Sequence, residues 1–360
     1  MIKKKILIVG GTGIAGQSII DYLLRYNDLC ELFVASRGNK LSSNKTINYI
    51  KLDIHQSENL LTTLKQYDIV VLALGPFSEV GTDIYEQCLH NNIICVDIND
   101  DYNQCDKIIK IGQNDRKKCN GMVLTGMGLC PGLTSFMLQL GAEQLNGNAE
   151  HAQLRIFFGA GVSSGRASII NMFEGFKNDV KILKHGKIQD MPSCNIGLDK
   201  SYSFDDSHSN RPLVYFSSPE LITLSRSDRF TTLRNFDSAF HLQNLPMYLV
   251  PLLKRSAYFR RLTCKMVGKQ QNKLKQSAKN EKSVIVCTTV ANKTSKVDCF
   301  LSSDSSYRLT GIFCASIIVM LMRENIQITP GVFTFEDLNV DSDILNKVLA
   351  NNNIRIQINK

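Results

Sequence analysis

Several short stretches of this chain carry residue types that could do chemistry, and each interrupts an apolar run. The first is Gly10-Gly11-Thr12-Gly13-Ile14-Ala15-Gly16. Gly11, Gly13 and Gly16 fit the spacing GxGxxG, and Gly10, Gly13 and Gly16 fit the looser GxxGxxG. Both spacings answer the same physical demand. One glycine turns the chain tightly, a second lets the backbone approach a pyrophosphate, and a third lets helix and strand pack closely. The amides of the helix start then face the phosphates, where the helix dipole favours negative charge. The bland alternative is a glycine turn that binds nothing. Context speaks against it: the apolar run Ile6 to Val9 precedes the loop, and helically spaced Ile14, Ile19, Ile20, Leu23 and Leu24 follow.

A second stretch, Glu31 to Arg37, ends in Ser36-Arg37. In an NAD site an acidic residue at this strand end binds the ribose 2′-hydroxyl. An arginine instead can stack on adenine and pair with a 2′-phosphate, so the expected cofactor is NADP rather than NAD. The alternative for Arg37 is a structural salt bridge. Asp53 closes a third apolar run where such folds meet the adenine ring, and Gly75-Pro76 stops a fourth. Two weak candidates for catalysis remain. Asp97, at the end of a fifth run and so among the strand ends expected to meet the cofactor, could also donate a proton or simply cap a loop or helix. Cys130, before Pro131-Gly132, could be a thiol nucleophile, but that role needs a histidine base. No Asn-Cys-Thr or Asn-Cys-Ser element accompanies it, which favours a structural cysteine. No tyrosine is followed by lysine four residues later, so a Tyr/Lys catalytic pair of the short-chain dehydrogenase type is absent. The six histidines lack metal-ligand spacing and acidic company, so no metal site is expected.

The elements that must position these residues alternate. Apolar runs at 6–9, 31–37, 47–53, 68–77, 93–97 and 122–125 read as strands, with helices at 14–24, 59–67 and 84–90 between them. The fold class expected is therefore α/β: a Rossmann-type, doubly wound parallel sheet, with ligands outside the carboxyl ends of its strands. After Gly126 the pattern changes. A loop leads into a helix from Ser135 to Leu145, a strand spans 152–158, and a hairpin over 180–189 turns at His185-Gly186. Further alternating strands at 284–290 and 297–301 predict a mostly antiparallel second sheet. Thr310 is expected to cap a wholly apolar helix, Gly311 to Arg323, buried against the first domain. The expected division is a nucleotide domain over 1–128, completed by 305–348, and a substrate and dimerisation domain over 129–304.

Composition narrows the class further. With 43% apolar and 21% charged residues among 360, the chain is an ordinary globular protein. Its eleven cysteines are odd in number and form no CxxC pair, which fits a reduced, cytoplasmic protein. Lys3-Lys4-Lys5 before Ile6 imitates a signal peptide, but the apolar run is too short. The mainly apolar run from Ile312 to Met322 is about half a bilayer span. The net charge of +9 is concentrated between residues 252 and 282, where ten basic residues face Glu281 alone. The rest of the chain is balanced, so nucleic acid is not an expected partner. A basic amphipathic helix at 252–282 could lie on an anionic membrane; a solvated excursion of the second domain is the reading preferred here.

With these residues assembled, the chain resembles the saccharopine dehydrogenase (saccharopine reductase-like) family. The likeness rests on Gly10 to Gly16, Ala35-Ser36-Arg37, Asp68 to Phe77, Cys88, Val96-Asp97, Pro131-Gly132-Leu133, the hairpin around Gly186, Leu309-Thr310-Gly311 and Pro330-Gly331-Val332. It implies a Rossmann domain completed by the C-terminal segment, with an inserted α+β domain for substrate and homodimer contacts. It also implies NADP-linked hydride transfer to or from an imine or carbonyl of a small amino-acid-like metabolite. After Asp97 this chain departs from the family's Thr-Gly-Glu, reading Ile98-Asn99-Asp100-Asp101, and its second half shows no pair of arginines placed to clamp an amino-dicarboxylate. The reading from another class is a Rossmann sensor or interaction protein that binds the dinucleotide without turning it over.

Overall fold

The computed structural model describes residues 3–38, 47–56, 59–114, 119–159, 178–192, 201–243, 256, 258–259, 262–263, 284–327 and 329–360. It forms two compact units. One comprises Met1–Leu133 with Tyr307–Asn352, the other Thr134–Ser306 with Asn353–Lys360.

The first unit opens as β1 (Lys4–Val9), α1 (Ile14–Leu23), β2 (Cys30–Ser36), β3 (Asn48–Lys51), α2 (Leu60–Leu64), β4 (Ile69–Leu72), α3 (Asp83–His90), β5 (Ile94–Asp97), α4 (Tyr102–Asn114) and β6 (Met122–Leu124). Ile6, Leu7, Ile8 and Val9 are all buried, as expected of a strand covered on both faces. Leu7 and Val9 pack with Val70, Leu72 and Phe77 in one core cluster, and Val332 from the C-terminal segment joins it.

The second unit follows. It contains α5 (Leu133–Gln144, which starts at the boundary), β7 (His151–Phe158), β8 (Val180–Lys184), β9 (Lys187–Met191), the short strands β10 (Ser201–Tyr202), β11 (Arg211–Pro212) and β12 (Val214–Tyr215), then β13 (Asn235–Leu242), β14 (Val284–Ala291) and β15 (Lys296–Ser303). Its main sheet runs β15-β14-β7-β13-β8-β9, edged beyond β15 by β17 (Gln357–Asn359), with β12 on β13. The pairing is antiparallel throughout except between β7 and β13. Strand β13 had no counterpart in the sequence reading, because Asp237 and Ser238 break its apolar run. His185 and Gly186 turn the β8–β9 hairpin with φ of 52° and 77°, the geometry of a two-residue hairpin loop.

The chain then returns to the first unit through the helix Ser306–Met322 and β16 (Gly331–Phe333). β16 pairs with β6, and the completed sheet is wholly parallel in the order β16-β6-β5-β4-β1-β2-β3. From β6 to β3 this is the doubly wound order with a reversal between β1 and β4. The helix Ser306–Met322 is buried nearly all round, from Leu309 to Leu321. Phe313 stacks obliquely on Phe335, and Ser316 Oγ lies 3.5 Å from the Tyr22 hydroxyl of α1. Thr310 is inside this helix, not its cap. The polar first turn, Ser306 to Arg308, carries no apolar period but is held by Arg308, whose guanidinium donates to the Asn352 carbonyl at 2.6 Å. Among the described residues, no helix is long and apolar enough to cross a membrane.

Candidate functional site

The sheet is parallel, so the carboxyl ends of β1 to β6 share one edge. At β1 the chain leaves through Gly10, whose φ is +83°. A Cβ there would run into the backbone carbonyl of Ala73, just past β4. Gly10 therefore answers two constraints, a left-handed backbone and a close approach of neighbouring strand ends. Its amide donates to the Ala35 carbonyl at 3.1 Å, and its carbonyl accepts from Gly13 at 2.9 Å. A Cβ on Gly16 would lie 2.5 Å from the Gly10 carbonyl oxygen and 2.6 Å from Gly11 Cα, so this glycine sets the contact between helix and loop. Gly13 differs. Its Cβ would meet only the Gly10 carbonyl, at 3.2 Å, and the residue is exposed.

Helix α1 begins immediately after Gly13 with no side-chain cap and no acidic residue in its first turn. The helical ladder starts with Gln17, which donates to Gly13 at 2.8 Å. The amides of Ile14, Ala15 and Gly16 thus stand outside the ladder at the positive end of the dipole. Thr12, Gly13 and Ile14 are exposed, Ile14 by 44%. This arrangement can take an anion, and it fits a dinucleotide pyrophosphate.

The ends of β2 and β3 sit beside it. Arg37 is exposed, and Ser36 Oγ donates to the Gly38 carbonyl at 3.0 Å, shaping the turn on which Arg37 stands. The two strands pair in register Ser36↔Lys51, and the Leu52 amide donates to Ser36 at 3.1 Å. Asp53 is half-buried, and its carboxylate accepts the His55 amide at 3.1 Å. At β4 the chain leaves through Gly75 and Pro76, joined by a cis peptide, as are Cys130 and Pro131. Gly75 is exposed and Phe77 buried, so the turn is anchored in the core.

The end of β5 is built differently. Asp97 is fully buried, and its Oδ1 accepts the amides of Asn99 at 2.9 Å and Gly126 at 2.7 Å. Asn99 Oδ1 accepts the Asp101 amide at 2.9 Å, and Asp101 Oδ1 accepts the Gln104 amide at 2.7 Å in the first turn of α4. Burial pushes the Asp97 carboxyl up to about 6, while its bonds to Gly126 and Asn99 pull the other way. Sequence reasoning passed over α4 altogether. Its signal was Asp101-x-x-Gln104, the spacing of a capping box, ahead of Cys105, Ile108 and Ile109.

Cys130 is half-buried in the loop before α5. Of the histidines, His208 pairs with Asp205 at 2.7 Å and His241 with the Pro212 carbonyl at 2.8 Å, both within the second unit. Burial lowers the His241 pKa below its ordinary value. Arg155, also buried in that unit, is engaged by Asp237 at 2.5 Å and lies against the Tyr215 ring. Among the described residues no group of three or more His, Cys, Asp or Glu is placed to hold a metal ion. The basic segment 252–282 lies outside the described residues except Ser256, Tyr258, Phe259, Leu262 and Thr263; Tyr258, Phe259 and Leu262 are exposed.

These features lie along one edge of a doubly wound, Rossmann-like sheet, and comparison with known proteins finds the same fold. Residues 5–118 match the model of the semialdehyde dehydrogenase NAD-binding domain. The whole chain has the fold of a saccharopine dehydrogenase (L-Glu forming) from Saccharomyces cerevisiae, with a TM-score of 0.67 at 13% identity, covering 99% of each chain. It is also similar to an engineered D-amino acid dehydrogenase bound to NADP+ (TM-score 0.49, 14% identity, 96% of each chain). A meso-dapdh variant from Clostridium tetani aligns with a TM-score of 0.48 at 18% identity, over 97% of this chain and 99% of that one. Among curated protein sequences no match is found. The motif resemblance drawn from the sequence is thus matched by the fold across the whole length.

Proposed function

We propose that the protein is an NADP-dependent oxidoreductase, transferring hydride to or from an imine or carbonyl of a small amino-acid-like metabolite. The observation that carries the reading is the uncapped, acid-free start of α1, exposed at Thr12-Gly13-Ile14. Gly10 to Gly16 would hold the pyrophosphate, Ser36 and Arg37 the 2′-phosphate, Asp53 the adenosine end, and Gly75-Pro76 would border the path towards the reacting end. When bound, the nicotinamide supplies or takes the hydride; the protein positions it and excludes side reactions. The second unit would supply substrate and homodimer contacts, and the mass in solution reads the latter directly. The imine or carbonyl preference rests on the resemblance of motifs, supported by the shared fold.

A second reading has its own observation. Asp97 is enclosed and its Oδ1 serves two backbone amides, so it offers no surface to a substrate. A dinucleotide-binding sensor or interaction protein needs no exposed acid. Protein that binds NADPH yet oxidises none of it across a panel of amines with carbonyl compounds would favour the sensor.

The nucleotide site is tested most cleanly at Gly13, where an added Cβ would meet a single protein atom, the Gly10 carbonyl oxygen, at 3.2 Å, a far milder contact than at Gly10 or Gly16. Gly13→Val should lower the urea midpoint much less than Gly10→Val does and lose roughly a hundredfold in NADPH affinity, about 2.7 kcal/mol; unchanged affinity removes the site from this loop. Arg37→Asp tests cofactor choice. Losing one charge-assisted contact costs about 1.5–3 kcal/mol, so NADPH affinity should fall roughly ten- to a hundredfold while NADH binding holds or improves. Equal affinity of the unmodified protein for both cofactors removes Arg37 from the site.

A further inference from the structure

The carboxyl group of Asp97 has a second oxygen that the strand-end loop does not use. Oδ1 takes two backbone amides, whereas Oδ2, fully enclosed, makes no hydrogen bond of ordinary geometry. Two other enclosed polar atoms beside it are in the same condition: the hydroxyl of Tyr85, from α3, and that of Thr125, just past β6. All three side chains are buried to 1% exposure or less. Buried polar atoms nearly always find partners. Three left over together, from three separate elements, mark a place built around something that moves between them, and the smallest such thing is a proton.

The other groups acting there are Cys95 on β5, Cys105 on α4, Cys314 on the helix Ser306–Met322, and Asp100 in the following loop, with Asp101 beside it. None of the groups acting on Asp97 is a cation. A carboxylate enclosed without a countercharge holds its proton more tightly than one in water.

We propose that Asp97, Tyr85 and Thr125 form a closed proton-holding site in which Tyr85 is a positioning residue. Its hydroxyl donates to Oδ2 when the carboxyl is ionised and accepts from Oδ2 when the proton is on the acid. The proton passes between Asp97 and solvent when the loop at 97–101 opens, and no other bond is made or broken. Reduction of an imine or carbonyl consumes one proton with each hydride, and this site lies two strands from the glycine loop in the order β5-β4-β1. That use rests on the function proposed above; the site itself does not.

The test follows carboxyl protonation in the full-length protein by difference infrared spectroscopy, with NADPH affinity measured alongside. Two carboxyls, Asp97 and Asp100, should lose their protons at a pH of about 6. The Asp97 transition is the one missing from Asp97→Asn, and it is the one followed in the variants below. Tyr85→Phe keeps the ring and its packing but removes the donor, so the transition should move upward by about one pH unit. Thr125→Val should move it the same way. NADPH affinity should be unchanged in both. A folded Tyr85→Phe or Thr125→Val whose transition stays at the parent's pH overturns the proposal, as does a parent protein with no carboxyl titrating near 6. Failure of the parent to bind NADPH would overturn the nucleotide reading alone, since the titration is read without it.

Discussion

The carboxyl ends of β1 and β5 lie on one edge of one parallel sheet, and they are finished in opposite ways. At β1 the glycines have no side chain to accept an amide, and the start of α1 is left uncapped and exposed. At β5 three successive side chains, Asp97, Asn99 and Asp101, each accept an amide ahead of them, carrying the chain into α4. Glycine cannot satisfy an amide, whereas an Asx side chain satisfies one two or three residues on. The same helix-start physics therefore yields an uncapped, exposed end in one place and a self-satisfied end in another. An acidic residue at a strand end is thus no sign of an open site by itself.

Three substitutions sharpen or break this contrast. The largest effect is expected at Gly10, where valine must adopt a left-handed backbone and overlap the Ala73 carbonyl. Each of those costs about 1–3 kcal/mol, so Gly10→Val should lose roughly 4 kcal/mol in urea unfolding. Stability equal to that of Gly13→Val would mean that the loop is not held as described.

Next comes Asp97→Asn, which keeps the shape and the oxygen that serves Asn99 and Gly126. The folded-state pKa of Asp97 is raised, from 3.8 to about 6. An acid raised in the folded state costs nothing below its unfolded pKa, and the full penalty is present above its folded pKa. The variant should therefore match the parent near pH 3.5 and gain progressively between about 4 and 6, reaching about 3 kcal/mol at pH 7. Parallel stability curves across that range would show that the enclosed carboxylate carries no such penalty.

The smallest effect is expected from Asp101→Ala, which removes the acceptor for Gln104 at the start of α4. Loss of such a cap costs about 1 kcal/mol, read as a shift in the urea midpoint. No shift would mean that the relay of turns does not hold α4 in place.

The contrast between the two strand ends was only half legible in the sequence. The glycine loop could be read because its information is local. Ile6 to Val9, the glycines and the spacing of Ile19, Ile20 and Leu23 lie within one strand-turn-helix unit. The doubly wound parallel class of the nucleotide unit followed from the same alternation, since parallel strands joined by helices have few ways to pack; the strand order itself came from the structure. Helix α4 was passed over for want of weight on its capping signal. The helix Ser306–Met322 was started late because a polar first turn has no apolar period.

What tertiary structure alone decided is the character of Asp97. Its enclosure depends on Tyr85 from α3, Thr125 and Gly126 beyond β6, and Cys314 from the returning helix. No window along the chain contains them all. A carboxyl group's exposure and proton affinity are set by whatever surrounds it in space, and neither residue type nor spacing encodes that. Sequence could place Asp97 at a strand end; only the packed fold could close it from solvent.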